Sequence, residues 1–303
     1  MSRIPALPRR RTTKPPKPPK TLRGLRATRR PRPRPSSSGG TRAGGATFLR
    51  CLHAEWIKIR TMRSTLYVVL GTLAFCTGLA ALNGSSAGGD FADMAPADQA
   101  AFDPLATSLR GYLLAQIALG LLGGLVITSE YGARTIVGTL TSVPHRARVL
   151  ASKAVVLVGV ALPVGVLVSF AGFLVGQASL AGAGAPHLAL FDGPALRGIL
   201  GGGLYLALAG LFGLALGTVI RSTTATVTTL FGVMLIVQAF APALPGTVGD
   251  WVSKYWPSIA GGQIITGYRD PALLGPWAGL GVMAGCVAVL TAAAFVVFRR
   301  RDA

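Results

Sequence analysis

The sequence predicts an all-α integral membrane protein with six transmembrane helices, both termini in the cytoplasm, and an amphipathic interfacial helix before the first span. Three observations support this prediction. Only 13% of the 303 residues are charged, whereas soluble proteins carry about 25%. The apolar residues are clustered in six runs, and the basic residues are concentrated in the segments on one side of those runs.

Each of the six apolar runs is close to the length of about 20 residues that crosses a hydrocarbon core as a helix. Their interiors contain no Asp, Glu, Lys or Arg, apart from Arg197 at the edge of the fourth run. Lipid offers no partner for free backbone N–H and C=O groups, so runs of this length are expected to be helical. The predicted spans are about 65–82, 111–128, 154–175, 196–219, 223–242 and 277–298.

The distribution of Lys and Arg predicts the orientation of the spans. Alternating sides along the six runs places 26 of the 30 Lys and Arg residues on one side and four on the other. Positive residues are retained in the cytoplasm, so both termini and the second and fourth loops are expected there. The first external loop, residues 83–110, fits this orientation because it holds four Asp and one Arg.

Residues 1–46 are predicted to be a disordered, Pro-rich cytoplasmic tail that precedes a six-span domain over residues 47–303. The tail has fourteen Lys or Arg residues and no acidic residue, a composition that cannot bury a core. These charges predict a solvated tail, with binding to anionic lipid or an acidic partner as the alternative. No aromatic residue is interleaved with these charges before Phe48, so nucleic acid is not expected as a partner. A later translation start, near Leu25 or Leu49, is an alternative explanation of the tail.

The segment between the tail and the first span predicts an amphipathic helix in the cytoplasmic membrane interface. Its apolar residues recur at helical spacing, and its basic residues lie on other faces. The apolar set is Phe48, Leu49, Leu52, Trp56 and Ile59, and the basic set is Arg50, His53, Lys58, Arg60 and Arg63. Trp56 is expected at the level of the lipid headgroups. A plain cytoplasmic extension of the first span is the alternative.

Several chemistries are excluded by missing motifs. No Gly-Lys dipeptide occurs, so the chain has no P-loop, and the three His and three Cys residues are scattered. We therefore expect no catalytic residue, no bound cofactor and no metal site. The spans lack both the buried acid typical of ion-driven carriers and the polar stripe of a channel. A self-powered carrier or channel is therefore disfavoured.

The charged loop between the second and third spans predicts a site for a partner protein. Glu130 and Arg134 are four residues apart, an arrangement that stabilises a helical turn. A short helix is therefore predicted over residues 130–140, and Pro144 ends it. Two further Arg residues follow before Lys153 opens the third span. Membrane topology alone does not require a structured turn in this loop.

The order of these features resembles that of type-2 ABC transporter permeases, the membrane subunits of exporters whose ATPase is a separate chain. In that family a Glu-Trp-x-Lys-x-Arg stretch precedes the first span. A Glu-Tyr closes the second span, and a Thr, a Pro-x-Arg and a Lys follow. The matching residues are Glu55, Trp56, Lys58 and Arg60, then Glu130, Tyr131, Thr135, Pro144, Arg146 and Lys153. The resemblance covers about residues 48–303 and does not include the basic tail.

The resemblance implies a permease subunit of an ABC exporter in the bacterial cell membrane, and not an enzyme. Two copies of an ATPase chain would bind Mg²⁺ and ATP and hydrolyse the ATP, and the permease would act as a homodimer or heterodimer. The ATPase-coupling loop would include Glu130, Tyr131, Arg134, Thr135, Pro144 and Arg146. The apolar spans favour a lipid-like or drug-like substrate. The alternative function is a non-transporting membrane scaffold whose basic tail binds anionic lipid or an acidic partner.

Smaller features within the spans predict helix packing. Close helix contacts are expected at four Gly-x-x-x-Gly pairs: Gly120/Gly124, Gly172/Gly176, Gly213/Gly217 and Gly281/Gly285. Gln116 and Gln238 are expected to form hydrogen bonds between helices, with the lining of a path as the alternative. Pro163 is expected to kink the third span. The external segment 241–276 is expected to form short helices that dip back into the outer leaflet.

Overall fold

The computed structural model describes residues 43–133, 146–268 and 270–300. Of these residues 86% are helical and none lies in a β-strand. The helices, numbered in chain order, are α1 Ala43–Thr61, α2 Arg63–Asp90, α3 Pro96–Ala100, α4 Pro104–Leu109, α5 Tyr112–Gly132, α6 Arg146–Gly182, α7 Gly193–Ile220, α8 Thr223–Phe231, α9 Val237–Phe240, α10 Gly246–Tyr255, α11 Pro257–Gly262 and α12 Pro276–Arg300. The predicted all-α class is confirmed for this part of the chain.

Six helical segments are long and apolar enough to cross a membrane, so the chain has the make-up of a multi-pass membrane protein. They are Arg63–Asp93, Tyr112–Gly132, Ala147–Gly182, Gly193–Ile220, Thr223–Ala243 and Pro276–Arg300, called spans 1 to 6 below. Their number and order match the six predicted runs. Spans 1 and 3 have 31 and 36 residues, which exceeds the length that a bilayer core requires.

Helix α7 lies at the centre of the bundle. In its most apolar window 67% of the residues are buried inside the protein, compared with 17% for span 1 and 22% for spans 5 and 6. Helices α5, α6 and α12 pack against α7. The fully buried side chains include Tyr205 and Leu206 of α7, Leu119 of α5 and Leu157 of α6. The outer spans therefore present most of their apolar surface away from the bundle, as expected in lipid.

Helices α5 and α7 contact each other backbone to backbone. A Cβ atom on Gly213 would lie 1.8 Å from the carbonyl oxygen of Gly120, and one on Gly123 would lie 1.9 Å from that of Gly210. No side chain fits at either distance, so glycine is required at these positions. The contact includes the predicted pairs Gly120/Gly124 and Gly213/Gly217, whose packing role is confirmed.

The other two predicted glycine pairs differ from each other. A Cβ atom on Gly176 would lie 2.5 Å from Ser108 of α4, so the pair Gly172/Gly176 is also a packing site. Apart from the adjoining backbone of α12 itself, no described atom lies within 4 Å of the Cβ positions of Gly281 and Gly285. The expectation that this last pair packs is therefore wrong within the described single chain.

Span 5 contains an irregular helical turn. A kink is predicted at Pro163 in α6, which is helical on both sides of that residue, and the kink stays a prediction. In span 5 the segment Gly232–Ile236 is π-helical and joins α8 to α9. The N–H of Val237 donates to the carbonyl of Gly232, five residues earlier, which is the π pattern.

The loops at the end of the bundle away from α1 are joined by Asp103. Its Oδ1 accepts hydrogen bonds from the N–H groups of Leu105 and Ala106, at 3.0 Å each, and caps α4. Its Oδ2 accepts from the N–H groups of Gly267 and Tyr268 at 2.7 and 3.0 Å. One carboxylate therefore holds together two loops that are far apart in the sequence.

The short helices predicted in the segment 241–276 are confirmed as α10 and α11. Ala260 of α11 is buried, and so are Ile264 and Ile265 in the 3-10 turn that follows it. This segment therefore packs against the bundle, as irregular backbone between two spans requires.

Candidate functional site

Four charged side chains meet where α1, α5 and α6 come together, and we call them the charge cluster: Glu55, Lys58, Glu130 and Lys153. Lys153 Nζ lies 2.9 Å from both carboxylate oxygens of Glu55 and 2.6 Å from Glu130 Oε1. Lys58 Nζ also donates to Glu130 Oε1. The charges therefore alternate along the order Glu55, Lys153, Glu130, Lys58.

The charge cluster is mostly buried. Lys153 has no exposed surface, Glu130 is 2% exposed and Glu55 is 8% exposed. The side chain of Lys58 is 40% exposed and forms the accessible end of the cluster. Two carboxylates and two ammonium groups give the cluster a net charge of zero. This balance matters because a buried charge without a partner is strongly destabilising.

Each element brings its charged residue to the cluster through its own packing. In α1, Glu55 and Ile59 are four residues apart and therefore share one face, and both are buried. Glu130 lies in the last turn of α5, which ends at Gly132, and Lys153 lies near the start of α6. The cluster thus ties α1 to the ends of spans 2 and 3.

Only some of the apolar residues predicted to share one face of α1 pack against the bundle. Leu49 is 67% exposed and Trp56 is 45% exposed, while Ile59 is buried. Arg60 is also exposed. The exposed side of α1 therefore carries both apolar and basic side chains, including Trp56 and Arg60 from the predicted interfacial helix.

The predicted coupling residues fall partly within the described chain. Glu130 belongs to the charge cluster, and the side chain of Tyr131 lies with its ring centroid 5.2 Å from the guanidinium carbon of Arg221. Arg134, Thr135 and Pro144 lie outside the described residues. Arg146 begins α6, and its side chain is outside the described part. The predicted short helix over residues 130–140 lies mostly outside the described residues and stays a prediction.

The sequence did not show which residues Lys153 and Arg221 contact. Lys153 was assigned to the start of the third span, and its contact with Glu55 joins residues that are 98 positions apart. Its only local signal is a single basic residue at the edge of a long apolar run. Arg221, whose guanidinium lies by the ring of Tyr131, follows the end of α7 and adopts the left-handed conformation with φ of 60°.

The sequence matches no family model and no curated protein. The cluster holds no nucleophile, and its four charges are used in ion pairs with one another. Such an arrangement fixes the relative positions of three helix ends, because moving one of them would separate a buried ion pair.

Proposed function

We propose that this chain is the membrane-spanning permease subunit of an ABC exporter, driven by ATP that a separate ATPase chain hydrolyses. The observation that supports this best is the charge cluster. The motif before span 1 supplies Glu55 and Lys58, and the motif around the second loop supplies Glu130 and Lys153. These two motifs are separate in the sequence, and they meet in one buried site. A shared mechanical role for α1 and the loop between spans 2 and 3 would account for both motifs.

In this proposal α1 lies in the cytoplasmic interface of the bacterial cell membrane, and both termini are cytoplasmic. The charge distribution supports this orientation, since 26 of the 30 Lys and Arg residues fall on that side. The exposed Leu49 and Trp56 would contact lipid. The permease would form a homodimer or heterodimer and export a lipid-like or drug-like substrate.

The coupling loop would receive force from the ATPase and pass it to the charge cluster. Arg134, Thr135, Pro144 and Arg146 would contact the ATPase, and Glu130 would connect the loop to α1 and α6. Because Glu130 Oε1 accepts from both lysines, a displacement of the end of α5 would also move α1 and the start of α6. None of these residues would take part in covalent chemistry.

The test is ATP hydrolysis by the complex purified from the native host. We expect the chain to co-purify with a P-loop ATPase, and we expect Arg134→Ala to reduce ATP hydrolysis by the complex about tenfold or more. Glu130→Ala should also reduce it. Arg299→Ala is the matched control, because Arg299 is an exposed basic residue at the end of α12, and it should leave hydrolysis unchanged.

The amount of each variant in the membrane separates a coupling defect from a folding defect. Normal hydrolysis in both Arg134→Ala and Glu130→Ala would remove the case for this loop.

The scaffold alternative rests on the fourteen basic residues of the tail. It predicts the reverse pattern, in which deletion of residues 1–46 abolishes function and the loop variants behave as the original chain.

A further inference from the structure

The π-helical segment Gly232–Ile236 is held by side chains from two other parts of the chain. Gln116 Nε2 of α5 donates a hydrogen bond to the carbonyl of Met234 at 3.2 Å. Trp256 Nε1, from the junction of α10 and α11, donates to the carbonyl of Val233 at 2.8 Å. Two neighbouring carbonyls of the irregular turn therefore each accept from a different element.

A buried polar network extends from this segment. The hydroxyl of Tyr205 donates to Gln116 Oε1 and lies 3.2 Å from the carbonyl of Ser258 in α11. Gln116 Nε2 is also 3.4 Å from Gln238 Oε1, and Gln238 Nε2 donates to Tyr112 at 2.8 Å. Gln116 and Tyr205 have no exposed surface. In apolar surroundings such groups are costly without partners, so the network favours one relative position of α5, α7, span 5 and α11.

A π-helical turn inside an α-helix is a natural place for two alternative conformations. Its i→i−5 pattern holds an extra residue, and such turns are frequent at functional sites. Conversion of the turn to α-helix changes the register by one residue, which rotates one half of span 5 against the other by about 100°. That rotation would take the carbonyls of Val233 and Met234 away from Trp256 and Gln116.

We propose that Gly232–Ile236 is a hinge, kept in its π form by Trp256 and Gln116, and that it couples the position of the α10–α11 segment to that of α5. The contacts that carry this inference lie within one chain, so it stands whether or not the chain serves an ATPase. Along α5, Gln116 and Glu130 are 14 residues apart, which corresponds to about 21 Å of helix. One helix therefore links the hinge to the charge cluster.

The test is amide hydrogen exchange of the purified full-length chain in nanodiscs, without any ATPase. Trp256→Phe removes the indole donor and keeps an aromatic ring. We expect exchange within residues 232–240 to rise about fivefold, the effect of losing one hydrogen bond. We also expect a smaller rise within residues 112–118 of α5. Trp251→Phe is the matched control, because the Trp251 side chain is 59% exposed, and it should leave both segments unchanged.

Three results would overturn the hinge. The first is unchanged exchange over residues 232–240 in Trp256→Phe. The second is a rise there with no change in α5, which would deny the coupling. The third is an equal rise along all six spans, which would indicate general loosening. If Trp256→Phe is not recovered in folded form, Gln116→Met makes the same test from the other side. It removes the donor to Met234, and exchange over residues 232–240 and 257–265 should then rise together.

Discussion

At the scale of single residues, Lys153 determines the electrostatics of the charge cluster. It is fully buried, and it is the only member that contacts both carboxylates, since Lys58 pairs with Glu130 alone among the described residues. Removal of Lys153 leaves Glu130 paired with Lys58. Glu55 then has no cationic partner among the described members of the cluster. The cost of an unpaired buried charge therefore falls on Glu55.

We predict that Lys153→Met destabilises the protein by about 3–5 kcal/mol, the range for breaking a buried ion pair. Unfolding of the purified protein by heat or denaturant measures the change. Lys58→Met is the comparison and should have a smaller effect, because the Lys58 side chain is 40% exposed. The double variant Glu55→Gln, Lys153→Met should recover part of the lost stability. Equal stability of Lys153→Met and the original protein would contradict the structural role of the cluster.

At the scale of helices, the α5–α7 crossing brings backbone directly against backbone at Gly213 and Gly123. At Gly213 the obstacle to a methyl group is the carbonyl oxygen of Gly120, 1.8 Å away, and backbone cannot rotate aside as a side chain does. Relief therefore requires the two helices to separate. Because α5 carries both Gln116 and Glu130, such a separation would reach the hinge and the charge cluster.

We predict that Gly213→Ala destabilises the protein by about 1–3 kcal/mol through overpacking. The control is Gly281→Ala in α12, where an added methyl group meets no described atom within 4 Å apart from the adjoining backbone of α12 itself. That variant should be as stable as the original protein in the same unfolding assay. Similar losses in the two variants would show that the crossing is less tightly packed than described.

The helices could be predicted from the sequence better than their contacts. Apolar runs of about 20 residues or more predict the spans, and glycines four residues apart predict close helix contacts without naming the two helices that meet. Spacing alone could not distinguish the pair at Gly213 from the pair at Gly281, because it does not say which face meets another helix. The π turn in span 5 also has no local signal in the sequence.

At the scale of the whole molecule, the packing of the helices brings together motifs that are far apart in the sequence. Glu55 and Lys153 are 98 positions apart, and no periodicity links them. The sequence did mark Lys153 at the start of the third run and Glu55 in the motif before the first span. It could not show that they share one ion pair, since that depends on how α1 lies against α5 and α6.

We predict that the end of the bundle that contains α1 faces the cytoplasm. The experiment uses a chain in which Cys51, Cys76 and Cys286 are replaced by Ala, with one new cysteine on an exposed position. Asp98→Cys in α3 should react with a membrane-impermeant maleimide on intact cells. His53→Cys in α1 should react only after the membrane is opened, and both sites are exposed in the structure. The opposite pattern would reverse the proposed orientation.

The burial of Lys153 also has a consequence for the order of events in biogenesis. In the proposed orientation, the Lys153 ammonium group would be hydrated before α1, α5 and α6 assemble and would add to the positive charge that biases insertion. After assembly it has no exposed surface and no longer contributes to the surface charge. The same residue would thus act first as a topology signal and then as the internal ion-pair partner seen in the structure. A variant that moves this positive charge to a neighbouring position of α6 would keep the insertion signal but lose the buried ion pairs. It would insert in the same orientation and then fail to assemble.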